Sequence, residues 1–568
     1  MLRPESKLSI ALALVCGLFG AAIAVVPHAA EAVRSGDTAW IADGDEIFYL
    51  QVASQAYRRD PLRMGDPALA DGGRGIYKAL PLAPGIVIAR VLGLPPIAIG
   101  LCWRAWAGFT IGLAWFMLSR GRLRTSGAAL ALAFVMICDA GAAAGRPFVD
   151  LAWTLVRIGS GNDAALFAAK PILMPQWRIS TPALTLAYLI AALAAAHAAR
   201  ERPSPLRVLV AGFCIGLLFY VYFYYWTAVV LALGIVWLID AGNRRLWFSI
   251  GLAAVAVGMP SLLADFEVKR STAPDWLHRS DKFLEIGRFD ELLLPKGALA
   301  LAALAGWFVI RRRRDLLFPW AIAAAGLLLM NHQIITRLQI ENFHWHYAWG
   351  PCLALTLLLP AAELLDRSFA RSRAAKLATL FGVGAIAVAG LVLREQEATR
   401  SRDTRELTQG RRATAADRPT SLAPGRTVAG PRAIVDQLAI DLDVRPLDGY
   451  AVRLSSTLLD DQWFERRALN AYLSGRSRAE YLAEERASIA ADPWGSWARD
   501  PAARERRLAR LLELFDRIEN DPGAALERWD VGYVVESVGP PPPAGAWRPL
   551  DTPRAWTRID LDPREPNR

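Results

Sequence analysis

The chain has 568 residues, 54% of them hydrophobic, with a mean hydropathy of +0.24 and a formal net charge of +11. A single soluble domain does not fit that length and apolarity, because one core rarely serves more than about 250–300 residues. Charged residues make up only 21%, which excludes a disordered or coiled-coil bulk.

In chain order, apolar runs occupy residues 8–26, 97–118, 127–145, 182–199, 208–222, 226–239, 246–263, 298–310, 316–330, 347–364 and 377–393. A bilayer crossing takes roughly 17 to 25 apolar residues, so several of these are short. Ala29, Ala30 and Ala32 follow the first run, as they would in a signal peptide. Its apolar core is long for that role, and an anchor helix is the better expectation. Cys16, Cys102, Cys138, Cys214 and Cys352 lie in or beside these runs, none with a second cysteine at metal-ligand spacing. They read as small hydrophobes.

The connecting loops fall into two alternating sets. One set is short and basic. It carries Arg3 and Lys7, Arg120 to Arg124, Arg200 to Arg207, Arg244 and Arg245, Arg311 to Arg314, and Arg367 to Lys376. These loops hold roughly 18 basic against 6 acidic residues, while the tail after 394 is nearly neutral. The charge excess is thus a topology signal, and no nucleic-acid partner is implied. The positive-inside rule makes the basic set cytosolic, with about eleven spans, the N-terminus inside and the C-terminus outside. The expected fold class is mainly α: a polytopic transmembrane helical bundle with a small C-terminal α+β extracytosolic domain. Keeping that alternation requires a hairpin within 208–239, turned at the aromatic run Tyr220 to Trp226.

The other loops are long: 27–96, 146–181, 264–297, 331–346 and everything after 394. Long loops gathered on one face suit an enzyme or receptor working there. Pro81 to Pro95 is too short to span and is expected to lie along the interface, shaping lipid access. No inverted repeat of the kind found in secondary transporters is visible. The membrane domain is set at 1–394, a linker at 395–430 and the outer domain at 431–568. Within the last, 469–489 and 502–518 read as amphipathic helices, the first broken at Gly475, and 531–536 and 555–561 read as strands.

Candidate chemistry lies on the outer side. Asp43, Asp45 and Glu46 crowd three carboxylates into four positions, with Tyr49 beyond them. Adjacent acids raise one another's pKa unless a cation or metal is near, which suits a general base or a metal ligand. A solvated acidic turn is the plain alternative. Asp139, in the outer half of an apolar run, is costly there unless it faces a cavity or an ion. Lys170 and Arg178, with Gln176 and Trp177, precede a span and suit a lipid phosphate. The stretch 331–346 gathers Gln333, Arg337, Glu341, His344 and His346, a set suited to sugar hydroxyls or phosphate. His344 and His346 are two apart, a weak spacing for a metal. Phosphate-binding glycine loops, nucleophile elbows and zinc spacings are absent from the sequence.

The anchor span, the outer loop with Asp45-Glu46-x-x-Tyr49, the further acid Asp139 and the later long outer loops resemble the GT-C superfamily of polytopic glycosyltransferases. The resemblance implies transfer of a sugar from a polyprenyl-phosphate donor to an extracytosolic glycan, lipid or protein, with inversion. It implies that a first-loop acid is the base: Asp45, with Glu46 and Asp43 as rivals. Asp139 would orient the acceptor or a divalent cation such as Mg or Mn. Arg178, Arg337 and Lys170 are expected on the donor phosphate by their chemistry. Gln333, Glu341, His344, His346 and Tyr49 are expected around the substrate. The alternatives are a lipid-linked polysaccharide polymerase or ligase using Arg and His, and a non-catalytic transporter or scaffold. Membrane lipids are partners on every reading, and the expected location is a bacterial inner membrane.

Overall fold

The protein is described from a computed structural model covering residues 4–35, 44–69, 78–138, 183–273, 296–336, 342–371, 381–382, 384, 422–455, 458–491, 501–535, 547–549 and 555–558. It is mainly helical. The first half contains α1 (Pro4–Ser35), α2 (Gly44–Arg58), α3 (Ala79–Val91), α4 (Ile99–Arg122), α5 (Ser126–Cys138), α6 (Leu186–Glu201), α7 (Pro205–Leu217), α8 (Phe223–Ile239) and α9 (Arg244–Ser271). Then come α10 (Lys296–Arg312), α11 (Leu317–Leu329), the single turn α12 (Gln333–Thr336) and α13 (His346–Arg371).

Among the described residues, four helices are long and apolar enough to cross a membrane: Lys7–Ala30, Pro96–Arg122, Ala241–Arg270 and His346–Arg367. They coincide with four of the expected runs. Six further runs are helices of 13 to 17 residues: α5, α6, α7, α8, α10 and α11. At 1.5 Å per residue these described stretches are shorter than a hydrocarbon core of about 30 Å, and α5 and α10 each stop at an edge of the described residues. Nearly all of the run 377–393 lies outside the described residues.

Local chemistry explains the breaks. The Ser204 side chain accepts from the Arg207 amide and Pro205 opens α7, a standard N-terminus. The helix tightens into a 3-10 turn over Leu218–Tyr220, and extended Tyr222 starts α8. The aromatic run therefore does interrupt 208–239.

α1 and α4 meet closely through glycines. A Cβ on Gly20 would lie 2.1 Å from the Gly108 carbonyl oxygen, and one on Gly112 would lie 2.2 Å from that of Cys16. Gly108 and Gly112 form the small-xxx-small spacing that lets membrane helices touch backbone to backbone. α5 to α11 and α13 supply the rest of the bundle core, with Trp115, Trp247, Trp345 and Trp349 inside it.

The sheet lies entirely in the last third among the described residues. It is built from β1 (Thr427–Ala429), β2 (Arg445–Pro446), β3 (Val531–Val535), β4 (Trp547–Pro549) and β5 (Ala555–Arg558), in the order β2-β1-β3-β5-β4. β1 runs parallel to β2 and β3, while β5 is antiparallel to β3 and β4. The helices here are α14 (Arg432–Asp441), α15 (Tyr450–Leu454), α16 (Asp460–Leu473), α17 (Arg478–Ala491), α18 (Pro501–Asn520) and α19 (Pro522–Arg528). β3 and β5 match the expected strands. The break between α16 and α17 falls at Gly475, whose φ of +75° suits glycine. β1 lies inside the stretch set aside as linker. It is three residues long and fully buried, so it carries no alternating pattern to read.

Candidate functional site

The segment expected as the first outer loop contains a helix. α2 begins at Gly44 and packs on α3, α4, α14 and α15. Asp45 is its second residue and Glu46 its third. The Glu46 carboxylate takes two bonds from Arg104 of α4: Nη1 to Oε1 at 2.6 Å and Nη2 to Oε2 at 2.7 Å. The side chains are 1% and 0% exposed. Arg104 Nη1 also donates to the Gly100 carbonyl at 3.2 Å. Gly100 leaves the room, since a Cβ there would lie 2.8 Å from Glu46 Oε1. Sequence reasoning offered Glu46 as a rival base and overlooked Arg104. The signal was present: an arginine within the apolar run 97–118 is costly without a carboxylate.

Tyr49 is half-buried and edge-on to Phe48, with ring centroids 5.6 Å apart. Asp43, Asp139, Lys170, Arg178, Arg337 and Glu341 lie outside the described residues, as does the side chain of Asp45. The expected convergence of the first-loop acids with Asp139, Arg178 and the 331–346 stretch therefore falls largely outside them too.

A second polar group sits where α8, α11 and α13 meet. Tyr222 and His344 are hydrogen-bonded through the phenol oxygen and Nδ1. Tyr224 stacks on His344 at 4.9 Å and packs edge-on to Trp345 at 4.9 Å. Trp345 Nε1 donates to Thr227 Oγ1 at 3.0 Å. His346 packs against Tyr347, with ring centroids 3.9 Å apart, and Gln333 is buried nearby in sequence. In the sequence the aromatic partners of His344 look like an interfacial turn, and no local pattern links Tyr222 to a residue 122 positions away.

The opposite end of the bundle is different chemically. Arg122 bonds Asp315 and His197; Arg313 bonds Asp315 and Glu363; Asp366 accepts from the Arg124 and Thr125 amides; Asp240 accepts from Arg200 and Trp247. A cleft there is lined by Arg122, His197, Arg200, Trp247 and Asp315, among others. Its charges neutralise one another, and it lies away from both polar groups above. We read it as helix-end riveting.

Among the described residues, no three His, Cys, Asp or Glu side chains are grouped to hold a metal ion. The acids expected to do so, Asp43, Asp45 and Asp139, have side chains beyond those described. Comparison with protein-family models returns no match. Comparison with curated proteins returns none either.

Proposed function

We propose that the chain is a polytopic inverting glycosyltransferase of the GT-C type, in a bacterial inner membrane, with about eleven spans. Its N-terminus is cytosolic and its residues from β1 onward form an extracytosolic α+β domain. It moves a sugar from a polyprenyl-phosphate donor to an extracytosolic glycan, lipid or protein. The observation that supports the reading is the state of one first-loop acid, Glu46. Glu46 is committed to Arg104 and pins the start of α2 to the bundle. Its neighbour at position 45 is turned about 100° around the helix axis. Two acids in one motif thus divide into an anchor and a candidate base.

In the reaction, Asp45 accepts the proton of the acceptor hydroxyl as its oxygen attacks the anomeric carbon. The bond to the polyprenyl phosphate breaks on the opposite face, giving inversion. Arg178, Arg337 and Lys170 hold the departing phosphate, and Asp139 orients the acceptor. A divalent cation, if used, would be held by Asp45 and Asp139. Tyr49, Gln333, Glu341, His344 and His346 bind the sugars. Detergent-purified protein assayed against labelled polyprenyl-phosphate sugars tests the proposal. Asp45→Asn should cut transfer by at least about 100-fold, within the usual contribution of a general base. Transfer within about tenfold of the native rate would remove Asp45 from that role.

The Tyr222–His344 bond favours a second reading, a lipid-linked polysaccharide polymerase or ligase using Arg and His. There His344→Ala abolishes activity and Asp45→Asn is tolerated.

A further inference from the structure

The helix that carries the candidate base is gripped by residues nearly four hundred positions away. Along α2, Gln51 Nε2 donates to Asp436 Oδ1 at 2.8 Å and to the Asp436 carbonyl at 3.1 Å. Ser54 Oγ donates to the Ala439 carbonyl at 3.2 Å, and Arg58 Nη2 to that of Ile440 at 2.7 Å. Ala439 and Ile440 lie in the last turn of α14, where carbonyls lack helical partners and a cation is favoured. Ser54 and Arg58 therefore act as a C-cap supplied in trans. Asp436 also accepts from the Tyr450 amide at 3.0 and 3.2 Å, joining α14 to α15. Apolar packing is continuous across the joint, since Ile440 and Ala451 share one core with Phe48, Leu50, Val52 and Ala53. Just beyond α2 the grip continues: Ser455 Oγ donates to Asp66 Oδ2 at 2.6 Å, and Arg466 Nη1 to the Ala68 carbonyl at 3.1 Å.

We infer that Asp436 is a positioning residue: by holding Gln51 it fixes the rotation and tilt of α2, and through α2 the placement of Asp45 against the reacting sugar. This rests on the glycosyltransferase reading for its catalytic consequence, and on the joint alone for its mechanical one. Arg104 anchors α2 at its start and α14 along its length, and both oppose its turning. Losing the Asp436 carboxylate leaves the Gln51 and Tyr450 donors buried without that acceptor, which loosens the joint. Asparagine keeps an acceptor oxygen in the same place.

The experiment uses the full chain in detergent and compares the native protein with Asp436→Ala, Asp436→Asn and Gln51→Ala. Two quantities are read: hydrogen exchange of the 44–58 amides, and kcat and KM for the labelled polyprenyl-phosphate sugar. Asp436→Ala and Gln51→Ala should speed exchange across 44–58 by about tenfold or more and lower kcat with KM little changed. Asp436→Asn should restore both. Gln51→Ala, approaching from the other side of the joint, guards against a misfolded C-terminal segment in Asp436→Ala. Unchanged exchange in both alanine variants overturns the inference, as does faster exchange with full kcat in a protein that transfers sugar. If exchange responds as expected but the native protein transfers no sugar, the grip on α2 stands and the glycosyltransferase reading is what fails.

Discussion

Arg104 is fully buried in α4, and its fork onto Glu46 supplies the opposing charge that such burial requires. Breaking a buried pair from one side costs about 3–5 kcal/mol, whereas replacing both partners by apolar groups is often neutral. Arg104→Met should therefore lower the unfolding temperature of the detergent-solubilised protein sharply. The double variant Arg104→Met with Glu46→Met should recover most of the loss. An Arg104→Met protein that unfolds at the native temperature would show that the pair does not anchor α2. The same measurement separates the two neighbouring acids: Glu46→Met falls in stability, while Asp45→Asn keeps it and loses transfer. At this scale the sequence announced the acids but not their division of labour. Asp45-Glu46 is legible because carboxylates cluster beside a span. The bond that sets Glu46 apart joins residues 58 apart, which no local pattern encodes.

The contact between α2 and α14 makes a claim about pH. Asp436 is 3% exposed, and burial, opposed by Arg432, the Gln51 amide and the Tyr450 backbone amide and aided by Asp448, pushes its carboxyl up to about 6 from 3.8. A carboxyl whose folded value is raised holds its proton more tightly in the docked state. Its contribution is fully present below about pH 4 and is lost as pH rises through about 6. The joint should therefore weaken measurably as pH rises from about 4 to 6.5. Hydrogen exchange of the 44–58 amides, corrected for intrinsic rates, should show that weakening in the native protein and not in Asp436→Asn. Equal slopes in the two proteins would mean that another group carries the pH dependence. Legibility varied by element for physical reasons. α18 has a strong amphipathic face, and β3 gathers Val531, Tyr533, Val534 and Val535 in five positions, so both could be read. α2 could not, because part of its apolar face is completed by Ile440 and Ala451 from the far end of the chain. Half-formed faces of this kind look like loop until the partner is known.

At the scale of the molecule, the two loop sets distinguished by charge are also sorted in space. Loops of the basic set are tied together by Arg122, Arg200, Arg313, Asp240, Asp315 and Asp366 at one end of the bundle. The α7–α8 break, the α9 C-terminal turn, Lys78 and the His344 group are at the other, where Lys78 and Ser261 are bonded at 2.9 Å and Ser261 reaches the Phe219 carbonyl at 2.8 Å. Charge alternation along the sequence thus predicts a spatial division, and the remaining question is which end faces the cytosol. Single cysteines answer it. Gly121 and Gly242 sit at the basic end, exposed and with open space where a Cβ would go. Asp60 and Glu519 are exposed on the opposite side of the sequence division. Of the native cysteines, Cys16, Cys102 and Cys352 are buried, and a cysteine-free background removes all five. A membrane-impermeant maleimide on intact spheroplasts should label Asp60→Cys and Glu519→Cys, and reach Gly121→Cys and Gly242→Cys only after permeabilisation. The reverse pattern would put Asp45 in the cytosol, where a base serving an extracytosolic acceptor has no use. Labelling of Gly242→Cys but not Gly121→Cys in intact cells would mean that 208–239 crosses once. Every later helix would then be inverted, and the His344 group would part from α2. Protection of both glycine positions is therefore the outcome that the hairpin at Tyr222, the basic rivets and the proposed outer site require together.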